Sequence, residues 1–323
     1  MRPVALAAIG LALLLVSAPA SATEGSAEPE EAGESTPKKR DVAYGAYQRG
    51  YYLTAFRAAL EEGQNGDTAA QTLLGELYAK GLGIPKDLEQ AVWWYSQAAL
   101  GGNREAQFAL ALALARGEGT DKDQEKAAGW FETAAKNGHV EAHYNLALIY
   151  VEGKHRRRDF DKAAELLTYA AERGHTPAQY NLALLYSEGQ GVNRDLPKAL
   201  SWMQRAAEAG MALAEVELAV MLFQGEGTEP NEAEAVKWFK RAAEKGNPVA
   251  QNRLARLYAN GRGVELDPVE AAKWHLLARA AGASDAWLDG FLGSLDEKQV
   301  AEANERAGEW ASGLTFVGGN VIF

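Results

Sequence analysis

The sequence predicts an all-α fold, built as a solenoid of stacked helix pairs. Three observations lead to this prediction: a unit of 36 residues recurs six times, each unit carries small and apolar residues at helical spacing, and glycine recurs at fixed positions. Length alone would suggest two domains, but an unbroken repeat predicts one continuous array. The predicted repeats are 67–102, 103–138, 139–174, 175–210, 211–246 and 247–282.

The first half of each repeat has the pattern of an α-helix. Alanine stands at the fourth position, leucine at the eighth, and glycine or alanine at the ninth, as in Ala70, Leu74 and Gly75. A spacing of four places these residues on one face, and the small ones mark where neighbouring backbones approach closely. Glycine at the fifteenth position, from Gly81 to Gly261, predicts the end of this helix, because glycine enters the left-handed conformation at little steric cost.

The second half predicts another helix. Alanine recurs at the twenty-fifth and thirty-second positions, as in Ala91 and Ala98, and a tryptophan stands between them in every repeat except the third, which has Leu166. Small residues seven apart with bulk between them are typical of a helix packed along one face. Helices of about 12 residues are marginal in isolation, so the repeats must stabilise one another by stacking.

Both ends of the array have the features of caps. Residues 41–66 predict a short hairpin with a turn near Gly50, and residues 283–312 predict further capping helices. A capping-box pattern from Ser294 to Glu297 predicts the start of a helix that runs through Trp310, with Val300 and Ala303 facing inward. The apolar tail, 313–323, has no helical period and no predicted place.

The first 22 residues have the order of a secretory signal peptide. Arg2 precedes an apolar run from Val4 to Val16, and small residues lead to Ala22. The apolar run is shorter than the roughly 20 residues that span a membrane, so we expect cleavage after Ala22 and a periplasmic or secreted protein. Residues 23–40, rich in Glu, Ser, Pro and Gly, predict a disordered acidic linker.

Composition narrows the function classes. The chain has no cysteine, so an exported form has no disulfide framework and depends on buried apolar surface. Its net charge of -11 argues against nucleic acid as a partner.

The repeat resembles a known family pattern. The stretch from Ala178 to Gly210, "AQYNLALLYSEGQGVNRDLPKALSWMQRAAEAG", is similar to the Sel-one-like repeat (SLR), A-x-x-x-L-G-x-x-Y-x-x-G-x-G-V-x-x-D-x-x-K-A-x-x-W-Y-x-x-A-A-x-x-G. The resemblance extends from Asp67 to Gly282, two-thirds of the chain. It implies a right-handed superhelix of antiparallel helix pairs, related to tetratricopeptide proteins, that usually serves as a protein-interaction scaffold.

No pattern in the sequence predicts catalysis, a metal or a small-molecule cofactor. There is no Gly-x-Ser-x-Gly elbow and no phosphate loop that follows a strand. His139 and His143 are four apart, as in helical zinc pairs, but His139 occupies a repeat junction and no third ligand is evident. We therefore expect a protein that is not an enzyme.

The resemblance also implies a binding groove. In tetratricopeptide-type hairpins the first helix of each pair lines the concave side, and here the sixth, seventh and tenth positions of the central repeats are apolar, aromatic or Asn. The alternative is that these side chains pack against the next repeat. The predicted groove residues are Phe108, Leu112, Tyr144, Asn145, Leu148, Tyr180, Asn181 and Leu184.

A basic run in the third repeat departs from its siblings. His155 replaces the glycine found at the seventeenth position of the other five repeats, and Arg156, Arg157 and Arg158 follow it. The inter-helix turn should therefore differ in backbone from the others. One interpretation is a solvated loop; the other is a docking site for an acidic protein segment or an anionic envelope polymer, bound through Arg forks.

Together these features favour a non-catalytic periplasmic or secreted scaffold that binds a protein or peptide partner. The resemblance allows a narrower hypothesis, in which the partner is the periplasmic domain of a membrane sensor and the protein regulates envelope signalling or exopolysaccharide production. The alternative class is a cell-envelope enzyme or a polysaccharide-binding accessory protein. Glu105 and Glu141, on successive predicted helices, are the candidate carboxylate pair for that alternative.

Overall fold

The computed structural model describes residues 42–314, and within that range it contains sixteen α-helices and no strand. The predicted signal peptide, the acidic linker and the tail beyond Leu314 lie outside the described residues. None of the described helices combines the length and the apolar character needed to cross a bilayer.

The helix boundaries follow the 36-residue repeat closely. Every helix of the six repeats is 13 residues long. The helices are α1 (Val42–Gln48), α2 (Tyr52–Gln64), α3 (Thr68–Lys80), α4 (Leu88–Leu100), α5 (Arg104–Arg116), α6 (Gln124–Lys136), α7 (Val140–Glu152), α8 (Phe160–Glu172), α9 (Thr176–Glu188), α10 (Leu196–Glu208), α11 (Ala212–Gln224), α12 (Glu232–Glu244), α13 (Pro248–Asn260), α14 (Pro268–Ala280), α15 (Ala286–Gly293) and α16 (Glu297–Leu314).

Each repeat is one helix pair, and the pairs stack in sequence order. We call the first helix of a pair the A helix (α3, α5, α7, α9, α11 and α13) and the second the B helix (α4, α6, α8, α10, α12 and α14). Every helix of the six repeats packs against the helices before and after it, within a repeat and across the junction to the next. The predicted all-α solenoid is confirmed.

Side-chain caps explain why the helices begin where they do. The carboxylates or amides at the first and twenty-first positions accept hydrogen bonds from N–H groups two or three residues later, as Asp67 and Asp87 do. His139 and His175 fill the same role through Nδ1, whereas Met211 provides no side-chain cap. Caps of this kind contribute typically about 1 kcal/mol each.

Glycine ends every A helix and also locks one repeat to the next. The fifteenth-position glycines are left-handed, with φ between 63° at Gly261 and 75° at Gly117, as the sequence predicts. The seventeenth-position glycines press on the start of the preceding B helix: a Cβ on Gly191 would lie 2.0 Å from the carbonyl oxygen of Phe160. Only a residue without a side chain fits there.

Alanine columns form the core. The alanines at the fourth, twenty-fifth and thirty-second positions are all buried, with no more than 4% of their surface exposed. Bulk comes from the leucines at the eighth position and from the twenty-ninth position, where Phe131, Leu167, Met203 and Phe239 are buried. The neighbouring tryptophans of the middle repeats, Trp130, Trp202 and Trp238, are only partly buried.

In four of the six repeats, a glutamine at the fifth position bonds the A helix to the helix before it. The side-chain Nε2 atoms of Gln71, Gln107, Gln179 and Gln251 donate to the carbonyls of Gly63, Ala99, Ala171 and Ala243 over 2.9–3.2 Å. Buried hydrogen bonds of this type contribute about 1 kcal/mol each and fix the register of adjacent repeats. Because each bond joins two different helices, the helical period of the sequence does not predict it.

Two repeats replace that glutamine by an ionisable residue. Repeat three has His143, whose ring stacks on Tyr169 at 3.7 Å. Repeat five has Glu215, which is fully buried and accepts from Arg241 Nε at 2.7 Å and Lys245 Nζ at 2.6 Å. Both residues occupy the position at which glutamine stands in the other four repeats.

The caps complete the array. At the start, α1 and α2 form a short hairpin in which Gly50 has a φ of 78°.

At the C-terminal end, the predicted capping box from Ser294 to Glu297 is wrong, because Ser294 is the C-cap of α15. The reciprocal pair is Asp296 and Gln299: the N–H of Gln299 donates to Asp296 Oδ1 at 2.8 Å, and the N–H of Asp296 donates to the side chain of Gln299. Asp-x-x-Gln offers the same geometry three residues apart, so α16 begins at Glu297 and continues past Trp310. Ala303 is fully buried and Val300 partly so.

Three glycine substitutions separate backbone conformation from close packing. Gly191→Ala should destabilise most, because it combines a positive φ with overlap on Phe160; Gly174→Ala, with a positive φ and open space, should cost about 1–2 kcal/mol. Gly308→Ala, helical and unobstructed, should stabilise by up to about 1 kcal/mol. Thermal unfolding followed by circular dichroism checks this order, and a Gly191→Ala midpoint equal to that of Gly174→Ala would contradict the interlocking contact.

Candidate functional site

The predicted groove residues lie on three adjacent A helices. Phe108 and Leu112 belong to α5; Tyr144, Asn145 and Leu148 to α7; and Tyr180, Asn181 and Leu184 to α9. All are partly buried except Asn181, which is buried. We call the surface formed by these eight residues and by Glu217 and Val220 of α11 the A-helix face.

The aromatic residues of this face lie against the following repeat. The ring of Phe108 stacks on His139 with centroids 4.3 Å apart, and Tyr144 meets His175 at 4.6 Å. Each ring is thus held on one side by the next A helix, while the residue keeps part of its surface accessible. The sequence left two interpretations open for these residues, a binding groove or packing against the next repeat. The aromatic side chains do both, because each contacts the next repeat and keeps part of its surface accessible.

The two asparagines differ in what they offer a ligand. Asn145 is partly exposed and donates Nδ2 to the carbonyl of Glu141 at 2.8 Å within its own helix. Asn181 is only 7% exposed and its Nδ2 donates to Tyr144 Oη at 3.4 Å. Asn181 therefore fixes the tyrosine ring, and Asn145 has the more accessible amide.

The centre of the A-helix face is acidic. The helices α7, α9 and α11 contain no Lys or Arg, but they carry Glu141, Glu152, Glu188 and Glu217 in addition to the buried Glu215. Among the described residues, neither Glu188 nor Glu217 has a hydrogen bond or an ion pair. Sequence position alone did not reveal that these two carboxylates lack partners.

Burial changes the acidity of these groups. Desolvation raises the pKa of Glu188, and it raises that of Glu217, with a smaller contribution from Glu226. The pKa of Tyr180 is raised to about 12, chiefly by burial and then by the charge of Glu217. A partly desolvated carboxylate without a counter-ion is unfavourable, and a cationic ligand would relieve it.

The candidate carboxylate pair of the alternative function has a structural role. Glu105 Oε2 lies 2.9 Å from His139 Nε2, and Glu141 lies on the other side of the same buried ring. Because His139 Nδ1 accepts from the N–H of Ala142, Nε2 carries the proton and donates to Glu105, which lowers the pKa of that carboxyl. The contact ties repeat two to repeat three. Within residues 42–314, no group of three or more His, Asp or Glu side chains is arranged to hold a metal ion.

The basic run forms a turn unlike its siblings, as predicted. His155 does not have the positive φ of the equivalent glycines, and the N–H of Lys154 lacks the bond to the eleventh-position carbonyl that the other five turns make. Arg156 and Arg158 donate to the backbone carbonyls of His155 and Glu152. None of the three arginines has an ion pair within the described part of the chain.

A cleft separates this turn from the next one. It has a volume of about 800 Å³ and lies between the third and fourth inter-helix turns. We call it the turn cleft; its lining residues are Tyr150, Arg156, Arg157, Arg158, Asp159, Phe160, Asp161, Lys162, Gly189, Gln190 and Gly191.

Comparison with known proteins identifies the repeat. The Sel1 repeat model matches residues 68–103, 104–139, 140–175, 176–211, 212–247 and 248–282, and each match begins one residue later than the corresponding repeat given above. No curated protein matches the chain.

Solved structures with the same architecture include a Sel1 repeat protein from Oxalobacter formigenes. It is 30% identical, with a TM-score of 0.63, and the match covers 75% of this chain and 97% of that one. A protective antigen of uropathogenic Escherichia coli strains, which displays an SLR fold, is 24% identical with a TM-score of 0.55, covering 88% of this chain and 72% of the antigen. The second likeness concerns the fold alone.

The buried His143 and the partly buried His175 predict a dependence of stability on pH. Burial is the main cause that lowers the pKa of His143, with Arg173 adding to it, and burial also lowers the pKa of His175. Below about pH 6.5 the unfolded chain therefore binds more protons than the folded one, so stability falls as the solution is acidified. His143→Gln, which introduces the residue of the sibling repeats, should reduce that loss.

Urea unfolding at neutral and mildly acidic pH measures the effect. His155→Gln, on an exposed turn, serves as the control for the removal of a histidine. Equal losses in His143→Gln and wild type would contradict the assignment.

Proposed function

Because this chain belongs to the Sel1 repeat family, we propose that it is a non-catalytic, exported scaffold whose A-helix face binds a peptide segment of a partner protein. The observation that carries the proposal is the composition of that face. Half-buried aromatic and apolar residues run across three repeats beside Glu188 and Glu217, which have no hydrogen bond or ion pair within residues 42–314. An apolar surface with polar groups at its edge is typical of a peptide-binding groove.

The charge of the face supports a cationic partner segment. The central A helices have four surface glutamates and no basic residue, so a peptide with Lys or Arg beside apolar side chains matches it. A lysine or arginine near Glu217 would also lie close to the ring of Tyr180, where cation–π attraction adds to the ion pair.

The first 22 residues support export to the periplasm or beyond the cell. In that setting a peptide-binding scaffold suits the periplasmic domain of a membrane sensor, through which it would regulate envelope signalling or exopolysaccharide production. This narrower role rests on the family resemblance and on the predicted leader.

The alternative of an envelope enzyme or polysaccharide-binding accessory has weaker support. Of its candidate carboxylates, Glu105 accepts from the buried His139 and helps to hold it as a helix cap, and Glu141 lies beside the same ring. Removing Glu105 would be expected to affect stability first, so an activity measurement alone would not separate the two classes.

Removing the central aromatics should reduce partner capture. The double substitution Tyr144→Ala/Tyr180→Ala deletes two rings of the A-helix face, and crosslinking in cells followed by identification of the captured protein measures the effect. We expect loss of the principal partner. The matched control is Tyr51→Ala/Trp93→Ala, which removes two aromatics that are 62% and 51% exposed away from that face. The same captured protein from wild type and from the groove variant would overturn the proposal.

Glu217→Gln should separate binding from stability. The ionised carboxylate is penalised by burial, so its neutral isostere should leave the unfolding midpoint unchanged or raise it, while several-fold weakening partner binding. Thermal unfolding and affinity for the captured partner give the two readouts. Weakened binding accompanied by a lower midpoint would indicate a structural role instead.

A further inference from the structure

The third inter-helix turn carries more positive charge than the equivalent turns of the other repeats. Its eighteenth to twentieth positions hold Arg156, Arg157 and Arg158, whereas the same positions of each other repeat hold at most one Lys or Arg. Lys162 adds a fourth cation to the lining of the turn cleft. A protein with a net charge of -11 therefore concentrates positive charge at this one cleft.

The guanidinium groups of this turn are available to a ligand. Arg156 Nη1 donates to the carbonyl of His155 at 2.9 Å, and Arg158 Nη2 donates to the carbonyl of Glu152 at 3.2 Å. Arg157 is exposed and has neither a hydrogen bond nor an ion pair among the residues from 42 to 314. Because these bonds go to different backbone carbonyls, the positive charges are spread along the turn and keep donors for an anion.

The cleft keeps an excess of positive charge after its own carboxylates are considered. Asp159 is the cap of α8 and accepts from the N–H of Lys162 at 3.0 Å. Asp161 is exposed, without a hydrogen bond or an ion pair in the described part of the chain. The wall formed by the fourth turn, residues 189–191, is uncharged. Four cations therefore stand against two carboxylates.

The lining matches carboxylates better than sugars or bases. Guanidinium and ammonium groups only donate hydrogen bonds, so they suit carboxylates, which only accept, better than sugar hydroxyls, which do both. Nucleobases need open aromatic faces, but Lys162 Nζ lies 4.9 Å from the ring centroid of Tyr150, and the guanidinium of Arg158 lies 6.0 Å from that of Phe160. Several guanidinium groups spread along a turn favour an extended chain of carboxylates over a single small anion.

The cleft lies beside the A-helix face. Leu148 and Leu184 precede the last residues of α7 and α9 by four positions, roughly 6 Å along each helix axis, and the turns that line the cleft follow directly. We propose that the turn cleft is a second peptide-binding site, which takes a stretch of Asp and Glu residues of a partner protein through Arg156, Arg157 and Arg158.

The acidic stretch should belong to the same partner that the A-helix face holds. A few Arg–carboxylate pairs near the surface sum to an affinity of about millimolar, which is weak for a separate protein. A partner already held at the A-helix face presents its acidic stretch at an effective concentration that also reaches about millimolar. This gain rests on the proposed function of the A-helix face, whereas binding in the cleft itself does not.

A nuclear magnetic resonance titration of the isotope-labelled full chain with acetylated hexaglutamate tests the cleft. At about 0.01 M salt, where screening extends over about 30 Å, we expect a dissociation constant of about 1 mM, with amide shifts confined to residues 153–162 and 189–191. Hexaglutamate has no cationic or apolar side chain, so it does not report on the A-helix face. Failure of the proposed function and failure of this site are therefore distinguishable.

Two substitution sets separate paired hydrogen bonding from charge. Replacing Arg156, Arg157 and Arg158 together with Ser should weaken hexaglutamate binding at least several-fold. Replacing the same three residues with Lys keeps the charge but removes the paired N–H donors, so it should also weaken binding several-fold.

A variant with the opposite effect and a control complete the set. Asp161→Asn removes a carboxylate that repels the ligand, so it should strengthen hexaglutamate binding. The control replaces Lys240, Arg253 and Lys298, three exposed cations elsewhere, with Ser and should leave binding unchanged.

Three results would overturn the proposal: wild-type affinity in the serine or the lysine variant, an equal loss in the control, or shifts that do not cluster at the cleft. An oligogalacturonate with the same number of carboxylates is titrated in parallel. If it shifts the same residues at a several-fold lower concentration, an anionic polysaccharide is the occupant, and the proposal is overturned as well.

Discussion

The structure depends on the close approach of each helix to the next across positions that carry almost no side chain. A 13-residue helix is marginal alone, and these helices are held by alanines that are essentially fully buried against their neighbours. The glutamine at the fifth position and the glycine at the seventeenth set the register of that approach. Cohesion is therefore a property of the junctions between repeats, as expected for a solenoid.

Because the contacts between repeats use only some positions of each A helix, one face of that helix is left available for binding. The fourth, eighth and eleventh positions are committed to the core, so the sixth, seventh, tenth and fourteenth can vary without loss of the fold. In the centre of the array these positions hold tyrosines, leucines and two glutamates, Glu188 and Glu217, that have no ion pair in the described part of the chain. Carboxylates that are costly to bury and have no internal counter-ion are a feature that folding alone does not favour.

The third repeat departs most from its siblings. It has His143 in place of glutamine, Leu166 in place of tryptophan, and the run from His155 to Arg158 in place of the glycine turn. The helices on both sides keep their lengths, so the changes alter surface and charge without altering the stack. Departures from a repeated pattern that leave the fold intact are candidates for function.

The sequence predicts most of the fold because glycine, alanine and helix caps act locally at a fixed period. The divergent backbone of the third turn is predicted for the same reason, since His155 cannot replace a left-handed glycine without strain. The glutamines at the fifth position can be read from the sequence, but their hydrogen bonds cannot, because each partner carbonyl lies on another helix. Likewise, a 3.6-residue period does not reveal that Asn181 is buried while Asn145 is accessible, or that Glu188 and Glu217 have no ion pair among the residues from 42 to 314.

A crosslinker scan in cells tests the binding surface most directly. A photoreactive amino acid is placed in turn at Leu112, Leu148, Leu184 and Val220 on the A helices, and at the exposed B-helix positions Trp93, Glu165, Ser201 and Lys237. The account predicts crosslinks to one partner at the A-helix positions only. Crosslinks to that partner at the B-helix positions, or with equal yield at both sets, would contradict it.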